Sequence, residues 1–594
     1  MWSDVSDRAA YLRAAAQLRG NPGQWAAYEA RGHCVVLAGP GSGKTKTLTT
    51  KMARMLTEDV HAPRGIACIT YNNECARELE DRLAALGVLH DKRVFIGTVH
   101  SFSLTQIILP YAQAAGLGLP MSFGIARRAE QQAALLEALG RTNIPQNLEF
   151  RLNNYRRAYL NRDTPEWREA DPNLAALIER YEAGLRRRGL IDFDDMPLLA
   201  VRALRSNQWL QRALLAKYPI LVVDEYQDLG SALHRMVMGL CFRTGMRLFA
   251  VGDVDQSIYG FTGARPDLLR RLSERADVQT VRLRLNYRSG TRIVSASRVA
   301  LAEERDFEAA NADMQGAVFI HSMAGNYENQ AVRVVRDLLP QAFIRHPGLN
   351  LGDVAVLYPA AWIGDAIADA AQAAGIAFIR TDGNALYPRS SRLMQWLEIC
   401  AQWCCGGWRS GDPRFARILR GGERLFGESL KSDQRRLEFH RLLISVLWGQ
   451  RDEGLRLHYW LDQLITQVIQ PFGNSCALLR DELETLATFA ARLSKAGDQR
   501  HMVLSELAGN GTHLSRLTLS TLHSAKGREF GLVFMFGLDN GRLPRNDADH
   551  DQRAEARRLF YVGLTRAKQE VHLLHTTGRT SPFVSEIEQH LAAE

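Results

Sequence analysis

Two parallel α/β blocks, each interrupted by a long helical insertion, are what this 594-residue sequence predicts. Three observations carry that fold class. Residues 34–48, CVVLAGPGSGKTKTL, run from an apolar strand through a Gly-rich loop into a helix-forming stretch. Strand-like and helix-like runs then alternate to about residue 100 and resume at 220. Between and after these runs lie two stretches, 103–190 and 388–512, whose pattern is helical.

Taken in order, the first 30 residues read as helical, broken at Asn21-Pro22-Gly23-Gln24. The loop Ala38-Gly39-Pro40-Gly41-Ser42-Gly43-Lys44-Thr45 follows the apolar run 35–37. It fits the phosphate-loop pattern except that Ala38 replaces the first Gly. Small residues let backbone N–H groups curl around a polyphosphate, and the next helix adds its positive end. Lys44 is placed to reach the β- and γ-phosphates and Thr45 to offer a hydroxyl to Mg²⁺. Residues 65–71 read as a strand, 72–86 as an amphipathic helix and 94–99 as a further strand. The stretch 103–190 is rich in Ala, Leu and Arg, and no strand-like run interrupts it. Strands resume at 220–223 and 247–251. A second α/β block begins near 278, with strands at 278–283, 317–322, 354–358 and 377–380. After the helical stretch 388–512, strands return at 517–521, 532–537 and 571–575. The two blocks predict two similar cores facing each other across a cleft.

Composition excludes several function classes. Hydrophobic content of 46% and charged content of 23% are those of an ordinary globular protein. No apolar stretch reaches the roughly 18–20 residues of a membrane span, and the N-terminus lacks a signal-peptide core. A cytoplasmic protein without a membrane partner is expected. The surplus of 74 Lys and Arg over 65 Asp and Glu favours a polyanionic partner. Eight Cys are scattered without a CxxC pair. Cys400, Cys404 and Cys405 form the one cluster; a metal or Fe–S site is conceivable there, but buried reduced thiols suit its apolar surroundings better.

Chemistry concentrates at strand ends. Asp224-Glu225 closes the apolar run ILVV. The first acid there suits Mg²⁺ and the second can accept a proton from the attacking water. Gln256, in VGDVDQSIYGF, sits where a neutral amide senses a γ-phosphate. Tyr259 and Phe261, two residues apart, face one side of an extended segment and suit base stacking. Arg288 in NYRS and Arg566 in VGLTRAK each follow an apolar segment of the second block. An Arg reaching from a second lobe would stabilise charge on the transferring phosphoryl group.

In order, the stretches NPGQ, AGPGSGKT, ITYNNECARELEDRL, GTVHSF, DEYQD, VGDVDQSIYGF, NYRS, TLHSAKGREF and RRLFYVGLTRAK resemble the superfamily 1A DNA helicases of the UvrD, Rep and PcrA type. The resemblance spans nearly the whole chain. It implies two RecA-like P-loop domains, the first from 1–102 and 191–277, the second from 278–387 and 513–594. The insertions 103–190 and 388–512 become the two helical subdomains, the second shortened. It implies ATP and Mg²⁺ as cofactors. Gly39, Gly41, Ser42, Gly43, Lys44, Thr45 and Lys46 would cradle the nucleotide, with Gln24 on the adenine edge, Tyr287 stacked on the base and Glu529 at the ribose. Thr45 and Asp224 would hold the metal. Glu225, Gln256, Arg288 and Arg566 would complete the catalytic set. Tyr71, Asn72, Thr98, His100, Tyr259, Phe261, Thr521 and His523 would line the single-strand path.

The activity implied is ATP-driven 3′→5′ translocation on single-stranded DNA, with unwinding at single/double-strand junctions, in repair, replication or recombination. A monomer or weak dimer is expected, with any protein partner unidentified. Two other functions stay open: a helicase-like ATPase subunit of a nuclease-partnered phage-defence system, and a nucleotide-dependent binding module that does not translocate. Three departures stand out. Lys46 replaces an Arg that stacks on adenine. Thr262 replaces the Arg of Arg-Gly-Ala. Arg420-Gly421-Gly422-Glu423 is a faint echo of the family's duplex-binding hairpin. The chain ends 28 residues after Arg566, so no C-terminal nuclease is expected.

Overall fold

The computed structural model describes residues 5–88, 93–302, 305–388, 391–476, 479–494, 499–510 and 516–593. The chain divides into two compact units, one of residues 1–317, 547–565 and 589–594, the other of 318–546 and 566–588.

The first unit is built on a six-stranded sheet. Its order is Val94–Thr98, Ile66–Thr70, Ile220–Val223, Arg247–Gly252, His33–Ala38, Val278–Leu283, every neighbouring pair parallel. The inner strands are short apolar runs because helices cover both faces. Alternate residues point to opposite layers: Val35, Leu221 and Val223 join one core, while Cys34, Val36 and Val222 join the other. A parallel sheet brings the C-terminal ends of all its strands to one edge, where ligand sites form. The residues following 33–38, 220–223 and 247–252 therefore share that edge.

Three expectations change here. Val278–Leu283 is the edge strand of the first sheet, with Val281 opposite Val36, and does not open the second block. Its exposed Gln279, Thr280 and Arg282 suit an edge, but local pattern cannot say which sheet a strand joins. The helix His550–Leu564 also belongs to the first unit, where Arg558 Nε donates to the Ser257 carbonyl at 2.7 Å. The first insertion is not strand-free: Gly124–Ile125 pairs in parallel with Leu190–Ile191. A two-residue ladder is too short to leave a period in the sequence. Next to it Arg156, fully buried, pairs with Glu182, Asp192 and Asp195 and ties the insertion helices together.

The second unit carries a six-stranded sheet ordered Ala317–Met323, Ala567–Thr576, Phe530–Met535, Val354–Tyr358, Leu517–Thr521, Phe378–Arg380. Its helical part packs around Trp396, Trp403, Phe426 and Trp460. Cys400 and Cys404 lie in this core, and burial pushes both thiols up, Cys404 to about 12. Among the described residues no group of three or more His, Cys, Asp or Glu is arranged to hold a metal. No helix among them is long and apolar enough to cross a membrane.

Arg420-Gly421-Gly422-Glu423 is not a hairpin. It lies inside the helix Phe415–Leu425. A Cβ on Gly421 would sit 2.8 Å from Trp396 Cδ1, and one on Gly422 would sit 2.3 Å from Phe439 Cζ. The glycines let two aromatic rings approach the helix backbone, which outweighs their helix cost of about 1 kcal/mol. Gly422→Ala is expected to lower stability by about 1–3 kcal/mol through overpacking. Urea denaturation measures it, and an unchanged midpoint would mean that the ring moves aside freely.

The second unit also hides several imidazoles. His321 Nε2 lies 2.8 Å from His572 Nδ1, and His572 in turn bonds the buried Glu570. Burial holds His321 down to about 4, helped by His572, and burial holds His523 down to about 4, helped by Lys526. Burial alone would raise the Glu570 carboxyl, but His572 and Arg345 hold it at about 2. The unfolded chain binds protons near pH 6.5 that the folded imidazoles refuse until about pH 4. Stability therefore falls on acidification through that window, and the Glu570 contribution is lost below it. The opening free energy of the second unit's sheet amides, from hydrogen exchange corrected for intrinsic rates, is expected to drop steadily from pH 7 to 4.5. A flat profile would mean that these imidazoles are solvated.

Candidate functional site

The loop after His33–Ala38 turns on two glycines with positive φ, Gly41 at +66° and Gly43 at +80°. Both also sit where no side chain fits. A Cβ on Gly41 would meet Asn286 Oδ1 at 2.5 Å and Arg288 Cβ at 2.6 Å; one on Gly43 would meet Gln24 Nε2 at 2.6 Å. Ser42 Oγ donates to the Gly39 carbonyl at 2.7 Å, and Gln24 Nε2 donates to the Ser42 carbonyl at 2.9 Å. The helix Lys44–Arg54 begins here and aims its positive end at the loop. Thr45 and a half-buried Lys46 lie in its first turn.

Lys44 Nζ stands 3.3 Å from Glu225 Oε1 and 3.5 Å from Oε2. Burial works to lower the Lys44 pKa, but Glu225, Asp253 and Asp224 outweigh it and raise it. Burial, reinforced by the neighbouring Glu225 charge, pushes the Asp224 carboxyl up to about 7. Asp253 reaches about 7 for the same leading reason, with Asp255 in the second place. Three carboxylates thus crowd one lysine at the sheet edge, a site that favours additional positive charge. Glu225 itself adopts φ +49°, ψ +47°, a left-handed conformation that a non-glycine residue holds only under constraint.

Gln227 supplies much of that constraint, and nothing in the sequence reading singled it out. Its Nε2 donates to Glu225 Oε2 while its Oε1 accepts from the Asp253 N–H at 2.9 Å. One amide therefore spans the strand ends of 220–223 and 247–252. Gln256 Nε2 donates to Asp253 Oδ2 at 2.6 Å, so the expected γ-phosphate sensor is set against this same carboxylate.

Asn286, Tyr287 and Arg288 belong to the first unit. The Tyr287 N–H donates to the Gly41 carbonyl at 2.8 Å, and Asn21 Nδ2 donates to the Tyr287 hydroxyl at 3.0 Å. Tyr287 remains 51% exposed, so its ring is available beside the loop. Asn286 Oδ1 accepts the N–H groups of Arg288 and Ser289 and shapes this turn. Arg288 Nη1 donates to the Thr565 carbonyl at 3.1 Å. The expectation that Arg288 reaches in from a second lobe is corrected, because the strand before it joins the first sheet. Arg566 and Glu529 do fall in the second unit: Arg566 Nη1 donates to the Arg528 carbonyl at 3.3 Å and Glu529 pairs with Lys568 at 3.3 Å.

The residues expected along a nucleic-acid strand divide. Tyr71 and Tyr259 stack with centroids 4.6 Å apart and planes 19° from parallel. Tyr259 precedes a 3₁₀ turn, Gly260–Thr262, so the expected extended segment is not there, and the Phe261 side chain lies outside the described residues. His100 packs on the half-exposed Phe193 ring at 4.3 Å, and burial holds its imidazole down to about 4. Asn72 and Thr98 spend their side-chain oxygens capping helices, on the Cys75 and Ser101 N–H groups. In the second unit, Thr521 Oγ1 accepts the Ser524 N–H at 3.2 Å, and His523 follows it, half-buried.

Arg157 was legible only as half of an Arg pair. Its Nη1 donates to the Thr262 carbonyl at 3.1 Å and its fork holds Asp194. An arginine from the insertion thus holds the turn in which Thr262 stands for the family's Arg.

Comparison with known proteins agrees with this geometry. Residues 20–277 match the UvrD/REP helicase N-terminal domain, and residues 450–577 match the UvrD-like helicase C-terminal domain. The chain is 28% identical to the ATP-dependent DNA helicase Rep of Escherichia coli K12, over 93% of this chain and 90% of that protein. It is 25% identical to Rep of Buchnera aphidicola, over 92% and 93% of the two chains. Against the ATP-dependent DNA helicase PcrA of Staphylococcus aureus MRSA252 it is 25% identical, over 92% and 82%.

Proposed function

Given that this chain belongs to the UvrD/REP helicase family and is an ATP-hydrolysing DNA helicase, we propose that it moves 3′→5′ along single-stranded DNA and unwinds duplex at single/double-strand junctions. The observation that supports ATP-driven movement is Lys44 Nζ at 3.3 Å from Glu225, at the head of a glycine-cradled helix; the 3′→5′ direction comes from the resemblance of the ordered motifs alone.

Thr45 and Asp224 are the hard oxygen donors that would hold Mg²⁺ together with oxygens of the triphosphate, and burial beside Glu225 leaves Asp224 in want of a positive partner. The ion would neutralise charge on the triphosphate. The chain's own groups do the rest. The loop N–H groups bind phosphate oxygens. Lys44 is shared between Glu225 and an incoming phosphate. When the phosphate takes the lysine, Glu225 loses its ion-pair partner and gains basicity toward a water proton. Gln227 holds the carboxylate in place through that exchange. Gln256 reads the change against Asp253, and the short link Ser257-Ile258 leads to Tyr259 on its Tyr71 platform. Base–aromatic stacking, worth about 1–3 kcal/mol per base, is strong enough to hold a nucleotide for one step and weak enough to release it.

A strand-displacement assay on 3′-tailed and 5′-tailed duplexes tests the proposal. Unwinding of the 3′-tailed substrate alone is expected. Displacement from the 5′ tail only, or ATP turnover that single-stranded DNA leaves unchanged, would overturn it.

A further inference from the structure

Apart from the phosphate loop, the first unit holds a cavity of about 580 Å³ between the insertion and the helices that follow the DEYQD stretch. Five arginines line it: Arg205, Arg235, Arg243, Arg265 and Arg271. Among the described residues no Asp or Glu lines it. Arg205 pairs with Asp163, and Arg265 and Arg271 share Asp267. Five guanidiniums against two carboxylates leave a surplus of three positive charges. Arg235 and Arg243 make no ion pair among the described residues. Leu160, Val201, Leu204, Met236 and Leu268 give the cavity an apolar wall as well. The volume is that of a small-molecule site.

We propose that this cavity is a second binding site for a nucleoside phosphate, held by Arg235 and Arg243 on its phosphates and by the apolar wall on its base and sugar. Guanidinium forks match phosphate oxygens two at a time, and an anion of several charges in a short span fits the surplus. A cavity of this size suits one nucleotide better than an extended acidic peptide. The nucleotide is free or is the phosphorylated end of a strand; the chemistry is the same. Occupancy has a route to catalysis. His234 lines the cavity, and its Nδ1 lies 2.8 Å from the hydroxyl of Tyr226, the residue after Glu225.

The test uses full-length protein in which Lys44→Ala silences the loop site, with and without R235E/R243E. Both arginines are exposed, so charge reversal should leave the melting curve in place; R235K/R243K keeps the charge as a control. Equilibrium dialysis with radiolabelled ATP reads the free nucleotide, and binding of 5′-phosphorylated against 5′-hydroxyl oligo-dT at fixed salt reads the strand end. Residual ATP binding that falls tenfold or more in R235E/R243E supports a free nucleotide. A tenfold fall confined to the 5′-phosphorylated oligonucleotide supports a strand end. Crosslinking of 8-azido-ATP within residues 231–243 would support the nucleotide directly. The proposal is overturned if both probes bind alike with and without the reversal, or if only a polyglutamate peptide depends on these arginines.

Discussion

Glu225→Gln is expected to bind ATP and hydrolyse almost none of it, with kcat down by about 10²–10⁴-fold. The amide keeps the volume of the carboxylate and can still accept a hydrogen bond, but it cannot take the proton of the attacking water. Ground-state affinity should hold or rise. Lys44 loses its carboxylate partner at 3.3 Å and is left wholly to the phosphates. Gln227 Nε2 can donate to the amide oxygen as it does to the carboxylate, so the strained backbone at φ +49° should survive the change. Lys44→Ala should do the opposite and lose nucleotide binding first. Single-turnover hydrolysis beside equilibrium nucleotide binding separates the two. Near-normal turnover in Glu225→Gln would remove Glu225 as the base and leave the proton to another group, for which the buried Asp253 is a candidate.

Arg288→Ala is expected to cost kcat about 10³-fold while changing ATP affinity far less. The side chain leaves the backbone beside Gly41, close enough that a Cβ on that glycine would lie 2.6 Å from Arg288 Cβ. A guanidinium there can serve charge that develops during phosphoryl transfer, and removing it is felt mainly in the transition state. The guanidinium's bond to the Thr565 carbonyl at 3.1 Å raises a packing alternative. Arg288→Lys discriminates. It keeps the charge but not the fork, so intermediate activity with an unchanged melting point marks an electrostatic role. A lowered melting point with activity restored at low temperature would instead make Arg288 a structural tie.

Much of this site was legible because its signals are local. GSGKT after an apolar run states a strand, a tight turn and a helix start within a dozen residues, and the structure has each of them. DEYQD likewise closes its strand at the residue where the acids are needed. What was not legible depends on long-range placement. Gln227 was visible as a letter of DEYQD, but its bridge to the Asp253 N–H joins strands 26 positions apart in sequence. Arg157 acts on Thr262 over 105 positions. Neither separation leaves a period or spacing to read.

The sequence by itself determined the longer strands, the phosphate loop and the order of chemical groups along the chain. Those depend on side-chain alternation, glycine conformations and short spacings, all settled within one element. Only the tertiary structure decided which sheet takes Val278–Leu283, and so which unit carries Arg288. It also returned the helix His550–Leu564 to the first unit and made Gly421 and Gly422 packing residues rather than a hairpin. The physical reason is common to all three. A strand edge, a helix face and a missing Cβ each present a surface that several partners could cover. Which partner covers it is settled by the packing of the whole unit, not by the residues alongside.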